Sequence, residues 1–145
     1  MSIIKDIYDV AKEGASQASK IGAVKRALRT EAKLNLQFLM DVSLSLAIDD
    51  ERRVEIIKNL ETVELAAAVR YELPYLAISR KKVTKTLAEN YKIKRIQGYD
   101  LEKLIESLFL MITYLKKDFK NKRIDLNLRL ININKYNNLL LELLK

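Results

Sequence analysis

The sequence contains no cysteine, no histidine and no tryptophan among its 145 residues. Without cysteine there are no disulfides, zinc–thiolate sites, iron–sulfur clusters or thiol nucleophiles. Without histidine the chain lacks the usual general base near neutral pH, the commonest transition-metal ligand and every triad or dyad built on imidazole. Glycine is confined to Gly14, Gly22 and Gly98, too few for a glycine-rich phosphate loop of the Rossmann or P-loop type. The single proline, Pro74, and the general shortage of turn residues argue against a many-turned β-sandwich or barrel. The longest nearly apolar run, Leu108 to Leu115, holds eight residues against the roughly twenty that a spanning helix needs. Lys5, Asp6 and Asp9 interrupt the first isoleucines, so no uncharged signal core is visible. The expected setting is a reducing cytoplasm, which the missing cysteines permit, with no membrane span.

Hydrophobic residues make up 49% of the chain and charged ones 32%, a balance that excludes disorder and leaves long helices as the natural architecture. One all-α domain over residues 1–145 is expected, with a four-helix-bundle-like core at 23–121. An N-terminal amphipathic helical arm at 1–14 and a C-terminal amphipathic helical extension at 124–145 flank it. In the arm, Ile3, Ile4, Ile7, Tyr8, Val10 and Ala11 share one arc opposite Lys5, Asp6, Asp9, Lys12 and Glu13. Gly14 and the small polar run to Ser19 weaken that pattern, which predicts a hinge.

Between Ala23 and Ile48 there is neither Gly nor Pro, and Leu28, Ala32, Leu36, Leu39, Val42 and Leu46 recur at steps of three and four, predicting one continuous helix. Asp49 and Asp50 are candidate caps for a second helix from Glu51 to Leu73, closed by Pro74, with Ile56, Leu60, Val63, Ala67 and Tyr71 inward. Ser79 is the candidate cap of a third, running to about Tyr91. Asp100 should cap a fourth, whose stripe is Leu101, Leu104, Ile105, Leu108, Ile112, Leu115 and Phe119. Residues 124–134 read two ways. Ile124, Leu126, Leu128 and Leu130 alternate like a strand, whereas helical spacing gives two opposed apolar stripes, Ile124/Leu128/Ile131 and Leu126/Leu130/Ile133. Helix is the favoured reading, because a lone strand has nothing to pair with.

No constellation for catalysis emerges, so the chain reads as a non-enzyme without cofactor or metal. The acidic triplet Asp49-Asp50-Glu51 is better explained by helix capping and the helix dipole than by a metal. A carboxylate-bridged metal site inside a bundle would need Glu-x-x-His pairs that this chain cannot form.

Charge is the stronger signal: 27 Lys and Arg against 19 Asp and Glu give a net +8 and a pI near 9.6. Lys25, Arg26, Arg29 and Lys33 fall within about 100° on one helix. Further clusters gather at Arg80, Lys81, Lys82 and Lys85, at Lys92, Lys94 and Arg95, and from Lys116 to Arg123. Lys25, Arg26, Arg29, Lys33, Arg80, Lys81, Lys82, Lys85 and Lys92 are therefore the candidate phosphate contacts of a nucleic-acid-binding surface. The ordinary reading of such faces is solvated surface, and few aromatics interleave them as base-stacking platforms require. Residues 41–72, with eight acids against four bases, form an acidic counterpart.

Ile3, Ile4, Ile7 and Tyr8 of the arm, with Leu126, Leu130 and Ile133 of the two-faced C-terminal helix, are the candidate contacts to a protein partner or a second copy. An apolar stripe left uncovered needs a partner. The leading expectation is a non-catalytic interaction or assembly subunit. The alternative is a basic helical accessory protein that holds RNA or DNA by its phosphates. In length, helical content and basic charge the chain is similar to accessory four-helix-bundle proteins that assist reverse transcriptases in diversity-generating retroelements, a likeness of gross architecture that implies this alternative.

Overall fold

The computed structural model describes residues 2–9, 16–44 and 47–145. Among them run nine α-helices: α1 (Ile3–Asp9), α2 (Gln17–Phe38), α3 (Met40–Ser43), α4 (Asp50–Asn59), α5 (Val63–Arg70), α6 (Tyr75–Ile78), α7 (Lys85–Asn90), α8 (Leu101–Asp118) and α9 (Leu126–Leu143). A 3₁₀ turn spans Lys94–Ile96, and Lys82 and Asp100 form an isolated antiparallel bridge. The fold is all-α and bundle-like, with its long positions filled by α2, by α4 followed by α5, by α8 and by α9. Val10, Ala11, the expected hinge after Gly14, and Leu46 lie outside the described residues.

Side-chain caps set most of the boundaries. Asp49 accepts the Arg52 N–H at 2.8 Å, Asp100 that of Lys103 at 2.9 Å and Asp125 that of Leu128 at 3.0 Å. Each satisfies an orphan donor of a helix start, the role expected for Asp49 and Asp100. Ser79 does not cap a third helix. Its hydroxyl donates to the Leu143 carbonyl at 2.6 Å, and the chain stays extended until Thr84, which caps α7 through the Leu87 N–H at 3.1 Å. Val83 anchors that extended stretch: its N–H donates to Tyr99 O at 2.8 Å and its carbonyl accepts from Gly98 at 2.7 Å. The return requires φ +89° at Gly98, a conformation that glycine adopts without a Cβ penalty.

The core centres on α8 and α9. On α8, Leu101, Leu104, Ile105, Leu108, Ile112 and Leu115 are all buried, as their spacing predicts. Helix α9 is not an extension but a core layer, packed against α2, α3, α4 and α8. Residues 126–134 are helical, and Leu126, Leu130 and Ile133 are buried with Tyr136, Leu139, Leu140 and Leu143. Sandwiching between neighbours also half-covers Ile124 and Ile131, so of the second stripe only Leu128 stands well out, 53% exposed.

Two predicted helices are broken. The first ends at Leu39, where the backbone turns (φ −86°, ψ 3°) and α3 sets off along α9. The second stops at Leu60, extended at ψ 135°, and restarts at Val63. Neither glycine nor proline causes this second break; two polar side chains of α2 do. Asn35, buried, clamps residue 61 from both sides: its Nδ2 donates to the Glu61 carbonyl and its Oδ1 accepts the Glu61 N–H, both at 2.8 Å. Glu31, one turn earlier, accepts the Glu64 and Leu65 N–H groups at 2.9 Å each, the donors that a new helix start leaves free. The restart shifts the helical phase, so Glu64, Leu65 and Ala68 turn inward beside Ala67, which was expected there, and Val63, expected inside, is 41% exposed.

Candidate functional site

The capping at α5 continues into α1. Buried Glu64, whose N–H is held by Glu31, accepts the Ile3 N–H at 2.6 Å and the Ile4 N–H at 3.1 Å. Two carboxylates in series thus tie α2 to α5 and α5 to α1. Ile4 is fully buried beneath this cap, Tyr8 stacks on Tyr71 with ring centres 5.7 Å apart, and the Tyr71 hydroxyl donates to Asp9 at 2.5 Å. The residues of α1 therefore lie on the bundle rather than standing off as an arm.

This arrangement redistributes the candidate partner contacts. Ile4, Leu126, Leu130 and Ile133 are spent on the chain's own core, and Ile7 and Tyr8 pack against it half-buried. Ile3 alone of that set is well exposed, at 53%, and it lies on a groove of about 230 Å³ shared by α1, α2 and α5. Leu34, 45% exposed, and Val63 join it there. Sequence periodicity missed both: Leu34 falls off the buried stripe of α2, and Val63 was assigned inward by an unbroken helical phase. A legible signal did exist, because Glu31 and Asn35, one turn apart, interrupt an otherwise apolar face of α2.

Burial pushes the Glu31 carboxyl above its ordinary range, opposed by its two backbone hydrogen bonds. Both of its oxygens are committed to those bonds, so it is a structural cap rather than a free base. Tyr75 is pushed up to about 12, chiefly by burial, away from any role near neutral pH. Among the described residues, no three acidic side chains converge as a metal site would require. Asp50 of the acidic triplet instead pairs with Arg53 at 2.9 Å.

The candidate phosphate contacts remain at the surface. On α2, Arg26 and Lys33 are exposed while Lys25 and Arg29 are half-buried; Arg80, Lys81, Lys82, Lys85 and Lys92 are all exposed. The ion pairs among the described residues use Lys5, Arg52, Arg53 and Lys145, and none of these nine cations. The register of α2 against α9 places them along the molecule. Asn137 donates to the Ala32 carbonyl at 2.7 Å, while Val42, farther along the chain, lies beside Asn127 and Ile131, so the two helices run antiparallel. Lys25 is therefore level with the end of α9, where the Lys81 ammonium holds the Lys145 carbonyl at 3.0 Å. Lys92 lies farther along, its carbonyl bound by Lys135 at 3.3 Å. The cations form a distributed field rather than one pocket. Of the neighbouring aromatics, Tyr99 is covered by Lys103 at 4.9 Å and Phe119 by Lys58 at 5.8 Å, whereas Tyr114 is 58% exposed.

Within the described residues, no helix is long and apolar enough to cross a membrane. No protein-family model, curated protein or solved structure matches this chain.

Proposed function

We propose that this chain is a non-catalytic helical assembly subunit that self-associates or takes a partner chain through the α1–α2–α5 groove. One observation carries the reading: Ile3, Leu34 and Val63, each 41–53% exposed, converge from three different helices on one concave surface. Scattered single apolar residues are normal on a protein surface, whereas these three gather on one groove, where a partner's apolar side chain could cover them together. Two of the carboxylates lining it, Glu31 and Glu64, are already bonded to backbone N–H groups, while the exposed Glu61 gives the apolar surface one charged edge. Sedimentation of the full chain across a concentration series, beside a Leu34→Asp/Val63→Asp variant, tests this. The expected outcome is a concentration-dependent rise in mass for the parent that the variant lacks; equal monomeric masses for both overturn self-association through this groove.

A second reading, phosphate-mediated binding of RNA or DNA, is supported by nine basic side chains that make no ion pair among the described residues. Labelled single-stranded RNA and duplex DNA, followed by anisotropy from low to physiological salt, would give a steep salt slope on that reading. Replacing Lys25, Arg26, Arg29 and Lys33 with Gln would flatten it.

A further inference from the structure

A pocket of about 310 Å³ opens between α8, α9 and the 3₁₀ turn, and it shares no residue with the apolar groove. That volume is at the lower end of the ~300–1,000 Å³ usual for small-ligand sites. Arg129, Asn132, Ile133 and Tyr136 line it from α9 at spacings of three and four, so they share one face of that helix. Ser107 and Met111, one turn apart, line it from α8. Only residues 119–125 join the two helices, which pack antiparallel, so Ser107 lies towards Tyr136 and Met111 towards Leu128.

The two ends of the pocket differ. One is walled by the apolar side chains of Leu128 and Met111. At the other, the Lys135 ammonium holds the Lys92 carbonyl at 3.3 Å, which brings the turn carrying Arg95 up to Tyr136. Tyr136 is only 5% exposed. The Tyr71 and Tyr75 hydroxyls donate to Asp9 and to the Ala68 carbonyl, whereas the Tyr136 hydroxyl bonds to no described residue. It is not sealed in either: the unpaired side-chain atoms without accessible surface belong to Arg53, Asn134 and Asn137. Buried tyrosines usually pair their hydroxyls, so one left open at the edge of a pocket marks the place of a missing group. Arg95 enters no ion pair among the described residues, and Glu102 and Glu106 of α8 border a separate hollow, so no carboxylate lines this pocket.

We propose that this pocket binds a small organic carboxylate with a compact apolar body. Its acid head lies at the end shared by Arg95 and Tyr136, and its body lies against Met111, Leu128 and Ile133. A guanidinium fork matches a carboxylate in shape and in charge. A phosphomonoester, at about −1.5 to −2 near neutral pH, would exceed the single cation at that end. Arg129 borders the far end, roughly 10 Å along α9 from Tyr136. Neither reading of function above bears on this site.

The test is an NMR titration of the isotope-labelled full chain with sodium 2-naphthoate, its uncharged analogue 2-naphthamide, and sodium acetate, at equal ionic strength near neutral pH. The expected result is saturable shifts at the Ser107, Asn132 and Tyr136 amides with naphthoate, at least about tenfold tighter than with the other two. Arg95→Gln, and Tyr136→Phe, which keeps the ring and removes only the hydroxyl, should each weaken naphthoate by about tenfold. Arg129→Gln should change its affinity by less than about twofold. Equal binding of naphthoate and naphthamide means apolar contact alone and overturns the proposal. Equal losses in Arg95→Gln and Arg129→Gln mean general charge attraction and overturn it too, as does an unchanged affinity in Arg95→Gln or Tyr136→Phe. No saturable response means that water alone fills the pocket and overturns it outright. The comparison of the three probes on the parent chain decides the matter even where a variant fails to fold.

Discussion

Helices α8 and α9, at one end of the chain, and α2 to α5, at the other, obey different rules. In α8 the three-four spacing of leucine and isoleucine maps directly onto burial, and an aspartate cap sets its start. In α2–α5 the same spacing predicts two long helices, yet Asn35 and Glu31 hold residues 61, 64 and 65 by backbone hydrogen bonds and cut the second one in two. Apolar periodicity governs a helix until a buried polar side chain from another helix offers its backbone a better partner.

The largest effect should come from the periodic end. Leu130, fully buried, loses both transfer energy and packing on truncation, so Leu130→Ala should cost about 2–5 kcal/mol in urea unfolding. Its loss should leave the assembly mass of the folded protein unchanged, because its side chain faces the chain's own core. At the polar end, Glu31→Ala strips two N–H groups of their acceptor and should cost about 1–3 kcal/mol. Hydrogen exchange should quicken at Glu64 and Leu65 first, whereas a uniform loss of protection along α8 as well would erase the distinction between the two ends.

A smaller effect is expected one step along the series. Glu64→Ala uncaps α1 and should cost about 1 kcal/mol, read as faster exchange at Ile3 and Ile4 with α2 unaffected. The pH dependence sharpens the comparison further. Since burial raises the Glu31 carboxyl in the folded state, the native protein holds that proton more tightly than the unfolded chain does. This contribution to stability is fully present below the ordinary glutamate range and declines as pH rises through the folded value. The stability of the parent relative to Glu31→Gln should accordingly fall from acid towards neutral pH, measured by urea midpoints. Smallest of all, Lys33→Gln on the exposed face of α2 should change stability by no more than about 0.5 kcal/mol.

What was legible in the sequence follows the same division. The all-α class, the buried stripe of α8 from Leu101 to Leu115 though not Phe119, the caps at Asp49 and Asp100 and the helicity of residues 126–134 depend on local spacing and are recovered from it. The role of α9 was not, because two opposed stripes are compatible with a core layer and with a partner surface, and only the surrounding helices decide. The groove was hidden for a related reason. Val63 is turned outward by contacts to residues about thirty positions earlier, a separation that no local pattern encodes.

The most direct test of this account is hydrogen exchange along the full chain, resolved by peptide and repeated from dilute to concentrated protein. The account predicts that residues 126–143 are strongly protected even in dilute solution, because α9 is buried by its own chain. Protection around Ala27–Leu34 and Val63 should instead rise with concentration as the groove is covered. Protection of residues 126–143 that depends on concentration, with the groove unaffected, would contradict it.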